Sequence, residues 1–428
     1  MAKPKLHAEL PFGPRLSVRD WRFRNGLRLL VLHDDSAPVV SYQTWLGVGS
    51  RHEEKGKTGL AHFFEHLMFN ETTTMAHGEL DRRFEEVGAE SNAATWTDWT
   101  CYYENLPSRE LPLAITLEAD RLQNLVLKEP QIESEREVVM SERRDRIEDD
   151  VEGRAGEMLW ATALRAHPYR HPTLGWMRDI RNFTPDDCRR FYRTWYAPNN
   201  VTLAVAGKLD ERELLAGVAD AYGAMKRSKL PAPKPHKAPR PRKEKRAEIA
   251  LPTSGERLLL AYPAPSFADP DWQVLAVVGQ LLFNASSSRV HRQLVMEREI
   301  ANQVWGHLPP FELDSLYEIG VDMRPSVAAE DALATIDTEL GRLSEQVDDD
   351  ALERAKARLE LSAYSSMETA GGKADLLGFY ATLALPPNGV FERIDQMRAI
   401  TGDQVRETTS RIFDPRRRTV LFVRPGAA

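Results

Sequence analysis

The chain repeats itself once, and the repeat sets how many folding units it can form. Thr184, Asp186, Arg189, Pro198 and Thr202 recur 217 positions later as Thr401, Asp403, Arg406, Pro415 and Thr419. Each set reads as a capped helix start, a turn proline and a closing strand, Thr202-Leu-Ala-Val-Ala-Gly207 in one half and Thr419-Val-Leu-Phe-Val423 in the other. Near the start of each half, Gly26-Leu-Arg-Leu-Leu and Gly255-Glu-Arg-Leu-Leu open apolar strands. Identical residues at one fixed offset predict two similar α/β domains of about 200 residues each, which a chain of this length accommodates.

The boundary between them is expected at 229–246, separating a domain at 1–228 from one at 247–428. That segment carries five prolines, eight Lys or Arg and one Glu, without apolar periodicity. Such composition favours an extended, semi-rigid spacer. A nucleic-acid strip is the sharper reading of the charges, but aromatics for stacking are missing. The net charge of −7 gives no global attraction to nucleic acid or anionic lipid. Cys101 and Cys188 are the only cysteines, so neither a disulfide framework nor a thiolate zinc site is expected. No apolar run is long enough to span a membrane. The opening Met1-Ala-Lys-Pro-Lys-Leu-His has no apolar h-region and does not read as a secretory signal. A reducing cytoplasm is the default expectation, although a chain trimmed of a targeting segment would look the same.

The chemistry is concentrated in the first half, where His62, Glu65 and His66 form an H-x-x-E-H run. On a helix, residues i and i+4 share a face and i+3 lies beside them, so two imidazoles can reach one metal with a carboxylate next to it. This is the reversed H-E-x-x-H of the inverzincin peptidases. Gly59, Leu60, Ala61, Phe63, Phe64, Leu67, Met68 and Phe69 surround the triplet with apolar residues. A helix apolar nearly all round is a buried one, and histidines and a carboxylate there are costly unless paired or metal-bound. In the second half, His66-Leu-Met-Phe-Asn70 lines up with Gln280-Leu-Leu-Phe-Asn284 at an offset of 214. On that register Ala276, Gly279 and Gln280 stand opposite the triplet, so one metal per chain is expected.

A catalytic zinc usually takes three protein ligands and leaves one position open. The segment from Glu133 to Arg144 offers a helical stripe of Glu135, Val138, Val139 and Glu142, two carboxylates bracketing two valines. The bland alternative is a charged surface helix whose carboxylates pair with Arg136, Arg143 and Arg144. His77, His167 and His171 are rival ligands in loop-like sequence. Pattern alone leaves these open.

His62-Phe-Phe-Glu-His66, followed by Glu142, resembles the M16 metallopeptidases, the pitrilysin and mitochondrial-processing-peptidase group. The similarity covers nearly the whole chain. Gly59 to Phe69 looks like that family's metal helix, and Glu135-Arg-Glu-Val-Val-Met-Ser-Glu142 like its downstream ligand helix. Val87 to Asp98 resembles the stretch leading into its substrate-binding edge strand, and Tyr196 to Gly207 the close of its first domain. The resemblance implies an α+β fold of two homologous α/β sandwich domains, each a mostly antiparallel sheet flanked by helices. It implies one zinc ion held by His62, His66 and Glu142, with Glu65 as general base and Glu135 orienting a ligand from behind. It places an extended peptide substrate along Asn92, Ala93 and Thr95. For Trp96 and Trp99, ordinary strand or core packing weighs at least as much as a substrate pocket.

One departure stands out. Active members of the resembled group also carry an Arg and a Tyr seven apart in a second-half domain, to bind substrate and steady the oxyanion. Val295 and Asn302 occupy those positions here, and no tyrosine lies between Tyr262 and Tyr317. Arg298 and Trp305 share the separation but sit three residues out of register. The expectation is therefore a heterodimer in which a second M16 subunit supplies the pair, with a homodimer as the lesser option and neither nucleic acid nor membrane as partner. The rival is a non-catalytic scaffold like the core subunits of respiratory complexes.

Overall fold

The computed structural model describes residues 4–233, 236 and 241–426. Part of the predicted spacer, 234, 235 and 237–240, lies outside the described residues. The spacer also ends earlier than its composition suggests, because Lys245 and Arg246 already pair in a strand.

The strands are β1 (Lys5–Phe12), β2 (Leu16–Arg22), β3 (Arg28–His33), β4 (Val39–Leu46), β5 (Glu90–Thr95), β6 (Thr100–Pro107), β7 (Val201–Gly207), β8 (Lys245–Leu251), β9 (Arg257–Ala264), β10 (Ala301–His307), β11 (Ser315–Met323) and β12 (Thr419–Pro425). They form a seven-stranded sheet, β1-β2-β3-β7-β4-β6-β5, and a five-stranded sheet, β10-β11-β9-β12-β8. Every pairing is antiparallel except β3 with β7 and β8 with β12. No helix among the described residues is long and apolar enough to cross a membrane.

The repeat is visible in this topology. Thr184 and Thr401 each cap a helix, Pro185–Trp195 and Gly402–Ile412, and each closes a capping box, with Asp187 and Gln404 respectively. The closing strands β7 and β12 each lie between a parallel neighbour, β3 or β8, and an antiparallel one, β4 or β9. The match of Gly26 with Gly255 does not hold. Gly255 precedes β9, whose counterpart is β4, whereas Gly26 precedes β3, whose counterpart is β8. An Arg-Leu-Leu triplet is too short to set register, and its offset of 229 departs from the 217 of the other matches.

The two compact units are not contiguous in sequence. One comprises Met1–Glu142, Pro172–Pro233 and Tyr364–Glu392, and the other Arg143–His171, Lys234–Ala363 and Arg393–Ala428. A clean division near residue 229 therefore misses two exchanged segments. The first five α-helices are α1 (Leu60–Leu67), α2 (Glu79–Glu86), α3 (Leu111–Asn124), α4 (Glu129–Arg143) and α5 (Val151–Ala163). Helix α5 buries Ala155 and Leu159 against Leu251, Ala261, Leu421 and Val423 of the five-stranded sheet. Conversely, the helix Ala370–Thr382 lies on the seven-stranded sheet, where the Gly371 carbonyl accepts from Gln43 Nε2 at 3.2 Å and Lys373 pairs with Asp34 at 3.0 Å. Each sheet thus carries helices of its own half on one face and one helix from the opposite half on the other. Both faces being covered explains why β3, β4 and β7 are buried almost throughout.

Candidate metal centre

Helix α1 starts at Gly59, whose φ of 93° suits glycine and whose α-carbon lies against the Leu174 carbonyl, leaving no room for a β-carbon. Glu53 takes the place of a capping side chain. Its carboxylate accepts from the Gly59 and Ala61 amides at 2.8 and 2.7 Å, satisfying helix-end donors and complementing the dipole. The expected all-round burial holds. Phe63 packs on Phe183, and Phe64 on Phe191, Tyr192 and Tyr196, so α1 is fixed on several sides. His62 is buried on this helix, while Glu65 and His66 are half-buried.

Helix α4 crosses beside it, anchored by buried Ile132 and Val139. Its arginines have partners away from the histidines. Arg136 pairs with Glu133 at 2.7 Å and donates to the Phe183 carbonyl, and Arg143 pairs with Glu157 at 2.7 Å. Glu135 and Glu142 instead meet the histidines. Glu142 Oε2 lies 3.5 Å from His62 Nε2 and 3.2 Å from His66 Nε2, and Glu135 Oε1 lies 3.0 Å from His66 Nδ1. Val138, read from sequence as part of a core-facing stripe, is exposed, because it sits farther from the core-facing Ile132 and Val139 than the two carboxylates do.

His62, His66 and Glu142 each offer one ligand atom, all within 4.8 Å of one another. Bonds of about 2.0–2.1 Å from a tetrahedral zinc would separate two ligand atoms by about 3.3 Å. The 3.2 and 3.5 Å separations match that edge. Two imidazoles and a carboxylate with a further carboxylate behind are a donor set suited to zinc. The residues present fit the ion. His77, His167 and His171 are not in this group; His167 Nδ1 instead accepts from the Tyr169 amide at 3.2 Å.

The electrostatics favour a cation. Burial pulls the His66 imidazole down, but hydrogen bonds and charges from Glu135 and Glu142 outweigh it and raise it to about 9. Burial pushes the Glu65 carboxyl above its ordinary value, against the lowering effect of hydrogen bonds from the Thr95 hydroxyl and amide. Glu65 Oε2 is buried and takes no hydrogen bond among the described residues.

Thr95 ends β5, the outer strand of the seven-stranded sheet. Asn92, Ala93 and Thr95 all lie on this edge strand, and its exposed-and-half-buried alternation marks a strand paired on one side only. Three contacts escaped the sequence reading. Asn70 Nδ2 donates to Glu135 Oε2 at 3.1 Å; its position four residues after His66 was the available signal. The Glu53 cap and the influence of Thr95 on the Glu65 carboxyl join residues from a loop and a strand to α1, and nothing in the local pattern announces them. In the other unit, Arg298 donates to Thr335 Oγ1 at 2.9 Å, Trp305 packs against Gly320, Val295 is partly buried against the core and Asn302 is exposed.

Residues 28–176 match the family profile described as Insulinase (Peptidase family M16), and residues 182–359 match the one described as Peptidase M16 inactive domain. The chain belongs to the M16 peptidase family. Among M16 relatives, it is 27% identical to the zinc protease PqqE of Helicobacter pylori over 98% of this chain and 95% of that protein. It is also 27% identical to an uncharacterized zinc protease of Streptomyces coelicolor, over 91% and 86% respectively. The crystal structure of a protease from Helicobacter pylori superimposes with a TM-score of 0.91 at 25% identity, covering 99% of this chain and 100% of that one. A peptidase M16 inactive domain structure from Pseudomonas fluorescens shares the fold, with a TM-score of 0.86 at 18% identity over 96% and 98%. The M16 fold of two α+β units, with mixed sheets flanked by helices, is that of this chain.

Proposed function

We propose that this chain is the metal-bearing subunit of a zinc-dependent endopeptidase that cleaves extended peptides or unfolded segments. The observation carrying the reading is the spacing of His62 Nε2, His66 Nε2 and Glu142 Oε2 beside the buried Glu65 carboxylate. Zinc in that setting supplies Lewis acidity, acidifying water and polarising the scissile carbonyl.

The protein's own groups do the rest. Glu65, its pKa raised by burial, takes the proton of the attacking water and hands it to the leaving amine. Glu135 orients His66 by accepting from Nδ1, which leaves Nε2 for the ion. The free edge of β5 holds the peptide as an added strand, with Asn92, Ala93 and Thr95 facing it. Main-chain pairing of that kind selects extended chains over folded ones.

The second half lacks the Arg and Tyr that the resembled enzymes use. A heterodimeric partner bearing that pair completes the site. The competing scaffold reading draws on the second half alone, whose profile is described as inactive. It gives no reason for two histidines and two carboxylates to converge in the first. Metal analysis decides between them. The purified chain should hold about one zinc, lost on His62→Ala. Glu65→Gln should keep the zinc and abolish cleavage; a cleaving Glu65→Gln chain would refute the assigned base, and a zinc-free wild type the whole reading.

A further inference from the structure

An exposed tryptophan stands at the end of the edge strand, next to Thr95, where β5 runs against α1. Trp96 is 37% exposed. Its amide donates to the Trp99 carbonyl at 2.9 Å, so by strand alternation the Thr95 and Ala93 amides turn outward from the sheet. The Ala93 amide rests on Asn92 Oδ1 at 2.8 Å. Side chains alternate in the same way. Ser91, Ala93 and Thr95 share the face of α1, while Asn92, Ala94 and Trp96 share the face covered by the helix Ala370–Thr382.

On that second face the tryptophans form a series. Trp45, 1% exposed, donates from Nε1 to Gln43 Oε1 at 2.8 Å and lies against Gly378. Trp99 packs on it at 4.8 Å between ring centroids, and Trp96 meets Trp99 edge-to-face at 6.0 Å with an interplanar angle of 75°. The loop that bears Trp96 is clamped. Its carbonyl accepts from the Ser50 amide at 3.1 Å, the Thr97 carbonyl accepts from the Arg51 amide at 3.0 Å, and Arg51 pairs with the buried Asp98 at 2.6 Å. Gly49 sits so close beneath the Trp96 and Thr97 carbonyls that no β-carbon would fit.

Single exposed apolar residues are ordinary on protein surfaces. This ring differs in being backed by a rigid aromatic series and in lying one residue from the strand end that contacts Glu65. We propose that Trp96 forms a subsite for one aromatic side chain of the peptide, on the sheet face opposite the metal cluster. The inference rests on the peptidase reading and extends it to substrate class. A peptide added along β5 alternates its side chains between the two faces. Those on the second face pass over Ala94, which is small and exposed, toward the Trp96 ring. An aromatic residue there packs edge-to-face or offset on a ring already ordered, so little side-chain entropy opposes binding.

The test is equilibrium binding of fluorescein-labelled alanine-rich peptides to the full-length zinc-loaded Glu65→Gln chain, with a single Phe moved along the sequence. Phe at one position should tighten binding about tenfold over the all-alanine peptide, with no gain at the adjacent positions. Trp96→Ala should erase that gain while leaving the all-alanine peptide's affinity unchanged, and Trp96→Phe should restore much of it. A Phe preference that survives Trp96→Ala, no preference in the presence of Trp96, no binding of either peptide, or a gain for Arg in place of Phe would each overturn the assignment. Should Trp96→Ala fail to fold, Trp96→Leu serves the same comparison. A Trp96-dependent preference in a wild-type chain that never cleaves, even when mixed with an M16 chain bearing the Arg/Tyr pair, would sink the peptidase reading and leave the subsite standing. Cleavage without that preference would sink the subsite alone.

Discussion

Glu135 holds His66 from behind: its Oε1 lies 3.0 Å from Nδ1, while Asn70 steadies its Oε2 at 3.1 Å. Burial opposes ionisation of Glu135, yet the His66 and Asn70 hydrogen bonds bring its pKa below the ordinary value. An ionised carboxylate only accepts, so Nδ1 carries the proton and Nε2 is presented toward Glu142. Replacing Glu135 by Ala should therefore weaken zinc binding by about 10- to 100-fold without removing a ligand. Competition with a fluorescent chelator reads this directly, and an unchanged affinity would show that Glu135 does not orient the site.

The second unit gives Arg298 to Thr335 and packs Trp305 against Gly320, so both out-of-register substitutes already have structural partners. Loss of one oxyanion donor costs about 10²- to 10³-fold in turnover. The chain by itself should be slower by at least that factor than its mixture with an M16 chain that bears an Arg/Tyr pair and lacks H-x-x-E-H. Equal peptide-cleavage rates for the chain alone and the mixture would contradict the heterodimer.

What the sequence reveals and what it hides follow from the range of the interactions involved. The helical turn from His62 to His66 and the stripe linking Glu135 to Glu142 depend on spacing along one element, and both are readable as patterns. Their convergence, with Glu142 Oε2 near both Nε2 atoms, is a tertiary fact that the pattern left open against an Arg-paired surface helix. The repeat was legible because Thr184 and Thr401 perform the same local capping task. The exchanged helices were not. Gly378 lies against Trp45, more than three hundred residues away in sequence, and nothing near either residue reports on the other.

Beneath the site lies a charged cluster that no periodicity announces. Arg121, Glu104 and Glu118 are almost fully buried; Arg121 pairs with both carboxylates and stacks over the Tyr102 ring at 4.4 Å. Burial and the neighbouring Glu118 push the Glu104 carboxyl well up, against the pull of Arg121. Removing the one cation leaves two carboxyl groups in the core. Arg121→Met should destabilise the protein by about 3–5 kcal/mol in urea unfolding, whereas replacing all three residues by apolar ones should restore much of that loss. A near-neutral single substitution would show that the guanidinium does not hold the pair.

Asp187 supplies a pH-dependent contribution to stability that can be followed separately from the metal site. It completes the Thr184 capping box, and its carboxylate pairs with Lys57 at 2.5 Å and with Arg190 at 2.8 Å. Burial raises its pKa, but the Lys57 and Thr184 hydrogen bonds outweigh that and lower it from 3.8 to about 2. Because the folded value lies below the unfolded one, the unfolded state binds more protons between them, and stability falls as pH falls. The contribution is fully present above roughly pH 4 and gone below about pH 2. Lys57 and Arg190 are partly solvated, so the full shift overstates the effect, and about 1–2 kcal/mol is expected at neutral pH. Asp187→Asn should lose that amount at pH 7, and its gap from wild type should close steadily as unfolding is measured from pH 5 downward. A gap that stays constant with pH would mean that the carboxylate acts through shape and capping geometry, not through charge.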